Sequence, residues 1–148
     1  MRYRLTKLSI TVIREGEPPP RTLSTPEEVA ILAKDLVAQE DDDREHFWVV
    51  ALDAQNRYIG HSEVSVGGAT AAPVDAKIVF RHALLAGAVN LIAVHNHPSG
   101  DPTPSKDDKA LTRRLVEGAR LLDLGFHDHL IVGNGSGQWL SMAQHGML

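Results

Sequence analysis

His95 and His97 are separated by one residue, and Ser105 and Asp108 follow in the run His95-Asn96-His97-Pro98-Ser99-Gly100-Asp101-Pro102-Thr103-Pro104-Ser105-Lys106-Asp107-Asp108. In a strand, residues i and i+2 project from one face, about 6.6 Å apart along the chain. Imidazoles so placed can converge on one cation at about 2.0–2.1 Å each. Pro98 turns His97 toward extended dihedrals, which supports that geometry. The loop to Asp108 carries Pro98, Pro102 and Pro104, so ordering it costs less entropy than ordering a flexible loop. Asp108 then arrives on the first turn of the next helix. A His95, His97, Asp108 set leaves one tetrahedral position open for water, the pattern of a catalytic zinc, one Zn2+ per chain. Such an ion lowers the pKa of its water and polarises a carbonyl oxygen.

The same residues have a purely structural reading. Ser105-Lys106-Asp107-Asp108 is a capping sequence, with Ser105 at the N-cap and an acid near the positive end of the helix dipole. Both readings hold together if the Ser105 oxygen accepts from the backbone while its hydroxyl proton faces a substrate. Hydrolysis further needs a group that takes a proton from water and delivers it to the leaving amine. Glu45, immediately before a buried strand, is the best placed of three upstream candidates. The others are Glu63, within a strand, and Glu40, in a charged connector. A second His-x-His, His127-Asp128-His129, starts a later strand without a further ligand at defined spacing. It reads as structural, or as a support in which Asp128 orients a metal-bound imidazole. His46, His61, His82 and His145 read as ordinary surface or core histidines.

The elements that must position these residues follow from pattern. Leu8-Ser9-Ile10-Thr11-Val12 alternates as a half-buried strand, and Gly16 with Pro18-Pro19-Pro20 ends it. Thr25-Pro26-Glu27-Glu28 is a helix start with a capping box. That helix runs to about Gln39, with Val29, Leu32, Ala33 and Leu36 inward. Phe47 to Leu52 is apolar throughout, a strand buried on both faces. A turn at 53–56 leads into a strand over Tyr58 to Val66, which Gly67-Gly68 ends. Asp75 to Ala86 has helical spacing, and Leu91 to Val94 is a short apolar strand. The helix from Ser105 turns Leu111, Leu115, Ala119 and Leu122 inward and Arg113, Arg114, Glu117 and Arg120 outward. Leu130-Ile131-Val132, a turn over Gly133 to Gly137 and a return strand at Trp139-Leu140 close the chain. Interleaved strands and helices predict helices on both faces of one mixed sheet. The strands 47–52 and 58–66 must be antiparallel across their short turn.

Composition narrows the function classes. The 148 residues have the length of one ordinary domain. With 43% hydrophobic and 23% charged residues they are globular in composition. The absence of cysteine excludes a disulfide framework, a thiolate zinc finger, a cysteine-held iron–sulfur cluster and a cysteine nucleophile. It also excludes the Pro-Cys-x-x-Cys ligands of zinc deaminases. The net charge of −4 leaves no global footprint for a nucleic-acid backbone. No stretch is long enough to span a bilayer, and no signal peptide is visible at Met1 to Ile10, so a cytoplasmic bacterial protein without a membrane partner is expected. No His-Glu-x-x-His, Gly-x-Ser-x-Gly or phosphate-loop motif occurs.

His95-x-His97, seven residues, Ser105-x-x-Asp108, with a glutamate upstream, resembles the JAMM (MPN-plus) metalloprotease signature. The fourteen-residue run together with Asp128-His129-Leu130-Ile131-Val132-Gly133 resembles the RadC family more narrowly, over roughly residues 44–142. The resemblance implies a cytidine-deaminase-like α/β/α sandwich, a three-layer fold on a mixed sheet. It implies zinc on His95, His97 and Asp108, Glu45 as general acid/base, and Ser105 as the donor that steadies the oxyanion. Glu45 precedes an apolar strand ending in Leu52-Asp53, as in that family. Two departures stand out: Ala76-Lys77-Ile78 replaces a usual Pro-Arg-Glu triplet, and the usual N-terminal helix-hairpin-helix region is missing, with a strand and helix over 1–40 in its place. The whole of 1–148 reads as one such domain.

The leading expectation is a zinc hydrolase that cleaves a peptide or isopeptide bond in a peptide or protein substrate. A nucleic-acid-associated protein of repair or mobile-element biology is the second reading, supported by the basic face of Arg113, Arg114 and Arg120. A catalytically silent metal-binding adaptor is the third.

Overall fold

A computed structural model describes residue 16 and residues 21–40, 43–67 and 74–148. The expected strand at Leu8 to Val12 and the Pro18-Pro19-Pro20 run lie outside the described residues. Helix α1 spans Pro26–Ala38 and starts as its sequence dictates. Thr25 Oγ1 accepts from the Glu28 amide at 3.3 Å, and Glu28 Oε2 accepts from the Thr25 amide at 3.0 Å. Such an N-cap contributes about 1 kcal/mol.

Strand β1 (His46–Leu52) is an interior strand and wholly buried. It pairs antiparallel with β2 (Tyr58–Val66) on one side and with β3 (Asn90–His97) on the other. Strand β3 pairs parallel with β4 (Gly125–Gly133), and β4 pairs antiparallel with β5 (Trp139–Ser141). The sheet order is β2-β1-β3-β4-β5. Helix α2 (Ala76–Leu85) lies between β2 and β3 in the chain, and α3 (Lys106–Leu121) links β3 to β4.

Strand alternation sorts the apolar side chains into two layers. Trp48, Val50 and Leu52 of β1, Ile92 and Val94 of β3, and Leu130 and Val132 of β4 pack against Val29, Leu32, Ala33 and Leu36 of α1. Phe47, Val49 and Ala51, with Leu91 and Ala93, face the other way onto Val79 and Ala83 of α2 and Leu115 of α3. Helices therefore cover both faces of one mixed sheet.

Two boundaries differ from the pattern reading. Strand β3 runs through His97 rather than ending at Val94, because His95 and Asn96 are buried and continue the ladder opposite Ile131 and Val132. Leu122 is exposed rather than inward, because α3 ends at Leu121 and Leu122 is its C-cap. Helical periodicity places a side chain only where the helix continues.

Candidate metal centre

The odd-numbered face of β3, the one beneath α3, carries both imidazoles. His95 is buried and His97 half-buried. Their Nε2 atoms stand 2.9 Å apart. Asp108, on the first turn of α3, brings Oδ1 to 3.3 Å from His95 Nε2 and Oδ2 to 3.1 Å from His97 Nε2. Ligands about 2.0–2.1 Å from a tetrahedral ion are about 3.3 Å from one another. The three donors stand close to that spacing.

The chemistry of the donors agrees. His97 Nδ1 lies 2.8 Å from the carbonyl oxygen of Asp101. A carbonyl only accepts, so Nδ1 carries the hydrogen and Nε2 of the neutral ring keeps its lone pair. Lone pairs and a carboxylate gathered at this distance fit a cation. Glu45 Oε1 lies farther out, 3.6 Å from His97 Nε2 and 3.9 Å from His95 Nε2. Its carboxylate borders the centre at a distance that suits a proton acceptor for water better than a fourth ligand.

Without an ion, a ring that takes up a proton on Nε2 donates it to Asp108. Desolvation opposes ionisation of that carboxyl, but such hydrogen bonds from His95 and His97 outweigh it and hold Asp108 well below the usual range. Desolvation likewise works to lower the His97 pKa. The hydrogen bonds to Asp108 and to the Asp101 carbonyl, with the charges of Asp108 and Glu45, carry it above the ordinary imidazole value.

Asp108 serves two purposes. Its Oδ2 accepts from the Ser105 amide at 2.8 Å, and its own amide donates to Ser105 Oγ at 3.0 Å. The capping box and the metal-ligand geometry coexist. The Ser105 hydroxyl proton has no acceptor among the described residues, and Ser105 lines the same cleft as Glu45, His95 and His97. That cleft, about 690 Å3, extends from the centre past Ser65 of β2 and the Ala110, Leu111 and Arg114 face of α3. Its size is that of a site for a small ligand or a short stretch of peptide.

The backbone around Glu45 is held by a residue that the sequence reading passed over. Asn96, between the two histidines, points to the opposite face, where its Oδ1 accepts from the His46 amide at 2.7 Å and its Nδ2 donates to the Arg44 carbonyl at 2.9 Å. The Glu45 carbonyl accepts from the Gly67 amide at 2.7 Å. The main chain on both sides of Glu45 is thus tied to β3 and β2.

The other two glutamate candidates lie elsewhere. Glu63 pairs across from Trp48, on the α1 face, and its Oε2 is 2.9 Å from His46 Nδ1. Glu40 belongs to that same group, with ligand atoms of Glu40, His46 and Glu63 within 4.8 Å of one another. Strand β2 shifts register between Glu63 and Ser65, which puts Ser65 and not Glu63 beside the cleft.

Asp128 does not orient a ligand imidazole. It accepts from Ser141 Oγ at 2.5 Å and from the Ala143 amide at 3.0 Å, on the α1 side. One residue on, alternation sends His129 to the other face, where its Nε2 lies 2.7 Å from His95 Nδ1. His127 is remote, bonded to Asn56. The spacing of the second His-x-His thus marks one useful ring, and only the strand register shows which. Phe47 packs against both rings, stacked on His95 and edge-on to His129.

The loop after β3 is pressed against the end of β4. A Cβ added to Gly133 would stand 2.0 Å from the Gly100 carbonyl oxygen and 2.6 Å from its carbon. Only glycine admits that approach. Ser136 Oγ also donates to this carbonyl at 2.7 Å.

The family model of the RadC-like JAB domain matches residues 23–147. The chain belongs to this family. Its mixed five-stranded sheet between two helical layers is the α/β layout of a JAB/MPN-type domain. It is similar to UPF0758 proteins of Methanosarcina mazei (36% identity over 132 residues, 89% of this chain and 56% of that protein) and Chloroflexus aurantiacus (38% over 141 residues, 95% and 58%). A third, from Desulforudis audaxviator, is 42% identical over 121 residues, 82% of this chain and 51% of that protein. The chain therefore spans about half the length of the curated relatives it matches. Within this RadC-like JAB domain, no helix among the described residues is long and apolar enough to cross a membrane.

Proposed function

We propose that this RadC-like domain is a zinc-dependent hydrolase that cleaves a peptide or isopeptide bond, with a peptide or protein as substrate. The observation that carries the reading is the convergence of His95, His97 and Asp108 at 2.9–3.3 Å with the Glu45 carboxylate just outside, at the head of an open cleft. His95, His97 and Asp108 hold the ion. When bound, zinc supplies Lewis-acid chemistry, activating water and polarising a carbonyl. Glu45 takes the proton from the attacking water and hands it to the leaving amine. Ser105, its oxygen engaged as an acceptor by the helix cap, donates its hydroxyl proton to the carbonyl oxygen as negative charge grows there.

The test pairs zinc analysis with hydrolysis of a panel of peptides and isopeptide-linked conjugates. The expected outcome is about one zinc per chain and cleavage of at least one amide, with Glu45→Gln retaining zinc and losing cleavage. Undiminished cleavage by Glu45→Gln would remove the mechanism. Zinc without cleavage of any amide would leave the silent adaptor as the better reading, and nicking of DNA would favour the nucleic-acid one.

A further inference from the structure

His95 must present a bare Nε2 to the ion, and a ring in isolation has no preference strong enough to secure that. The rest of its surroundings does. His95 Nδ1 lies 2.7 Å from His129 Nε2. His129 Nδ1 lies 2.6 Å from Thr112 Oγ1, and Thr112 Oγ1 lies 2.7 Å from the carbonyl oxygen of Asp108, four residues earlier in α3. His129 and Thr112 are both fully buried.

Hydrogen positions along this chain follow from what each end is able to do. The Asp108 carbonyl has no hydrogen, so the Thr112 hydroxyl donates to it, the usual bond of a helical threonine to the carbonyl one turn back. The other neighbour of Thr112 Oγ1, Met142 Sδ at 3.4 Å, is a weak acceptor with no hydrogen of its own. With its single proton committed, Thr112 Oγ1 accepts from His129, so the hydrogen of His129 is on Nδ1. A charged ring in this sealed position would be costly. His129 is therefore neutral, its Nε2 is bare, and it accepts the hydrogen of His95 Nδ1. That leaves the lone pair of His95 on Nε2, toward His97 and Asp108.

The geometry points to His129 and Thr112 as positioning residues of the metal centre, which lock His95 in the metal-binding tautomer and tie that choice to the helix turn bearing Asp108. The circuit is closed: Asp108 offers its side chain to the ion and its carbonyl to the group that orders His95. Two ligands on different elements, β3 and α3, are thereby set by one row of hydrogen bonds. This inference rests on the reading of His95, His97 and Asp108 as a cation site, but not on hydrolysis.

The decisive measurement is the long-range nitrogen–hydrogen correlation spectrum of the histidine rings in the wild-type protein under mildly alkaline conditions, zinc-free and zinc-loaded. His129 is expected to carry its hydrogen on Nδ1 in both. A hydrogen on His129 Nε2 would overturn the proposal, because it would force that of His95 onto the metal-facing nitrogen. The companion test is zinc affinity by chelator competition. Thr112→Val, close in shape but unable to bond, is expected to lose about 10- to 100-fold, with Thr112→Ser restoring most of it. Wild-type affinity in a folded Thr112→Val protein would also overturn the role. If that variant does not fold, the wild-type spectrum decides alone. Absence of amide cleavage would count against the hydrolase reading and leave the tautomer result untouched.

Discussion

Replacing Gly133 by alanine should damage the metal centre from a position that is not itself a ligand but pairs with His97 in the β3–β4 ladder. The new Cβ would lie 2.0 Å from the Gly100 carbonyl oxygen, and real Cβ atoms keep at least about 3.0 Å, so the loop must retreat by about 1 Å. Retreat is resisted by Gly100 N to His97 O at 3.1 Å, by Asn134 N to the same carbonyl at 3.0 Å, and by the Ser136 hydroxyl. Overpacking of this kind costs about 1–3 kcal/mol. In a domain of this length that is a fall of roughly 3–10 °C in melting temperature. Asp101, the next residue, moves with the loop, and the 2.8 Å bond from His97 Nδ1 to its carbonyl is lost. Losing the partner of a ligating imidazole weakens metal affinity about 10- to 100-fold. The control is Gly135→Ala, where φ is +70° and nothing lies within 4 Å. That variant pays a comparable backbone strain of about 1–3 kcal/mol and should bind zinc as the wild type does. Melting curves and zinc competition on both variants read the two effects apart. A Gly133→Ala protein with wild-type melting and wild-type zinc affinity would refute the reasoning.

Three further outcomes are expected. Asn96→Ala should keep zinc affinity within a few-fold while cleavage falls by an order of magnitude or more, because the strain lands on the backbone of Glu45; zinc loss as large as the loss of cleavage would count against it. Asp108→Ala should lose zinc and also melt earlier in zinc-free solution, by the cost of a missing cap partner, about 1 kcal/mol; unchanged zinc content would refute the ligand assignment. Asp53 accepts from the Arg57 amide at 2.8 Å, which outweighs desolvation and, with the Arg57 side chain and the Gln55 amide, lowers its pKa below 3.8. A carboxyl lowered on folding stabilises above its unfolded pKa and loses that contribution as pH falls through the folded value. Asp53→Asn should therefore flatten the decline of melting temperature below about pH 4, and an unchanged decline would argue against the turn.

The parts of this fold visible in the sequence are those governed by neighbours in the chain. Thr25 with Glu28 and Ser105 with Asp108 announce their helix starts because a capping box closes within four residues. The unbroken apolar run of β1 and the His-x-His of β3 are visible for the same reason. Asn96 escaped because its partners, the main-chain groups of Arg44 and His46, are fifty residues away and adjacent only through β1–β3 pairing. Spacing ranked Glu45 ahead of Glu63 without excluding Glu63, since a register shift in β2 decides which side chains face the cleft. In His127-Asp128-His129 the pattern pointed at the right segment and the wrong member. Pleat parity, fixed by pairing with β3, turns His129 rather than Asp128 toward His95.

The double duty of Asp108 changes how related sequences should be compared. A copy of this domain that abandoned its ion would still be under pressure to keep an acid there, because α3 would otherwise begin with the Ser105 amide uncapped. The Ser-x-x-Asp half of the signature can therefore outlive the chemistry. The His97 side chain has a weaker hold on the fold: it is only partly buried, and among the described residues its ring's one hydrogen bond outside the centre is to a loop carbonyl. In sorting working copies from retired ones, the histidine is the informative letter, and the aspartate, though it looks equally diagnostic, records mainly that a helix still starts there.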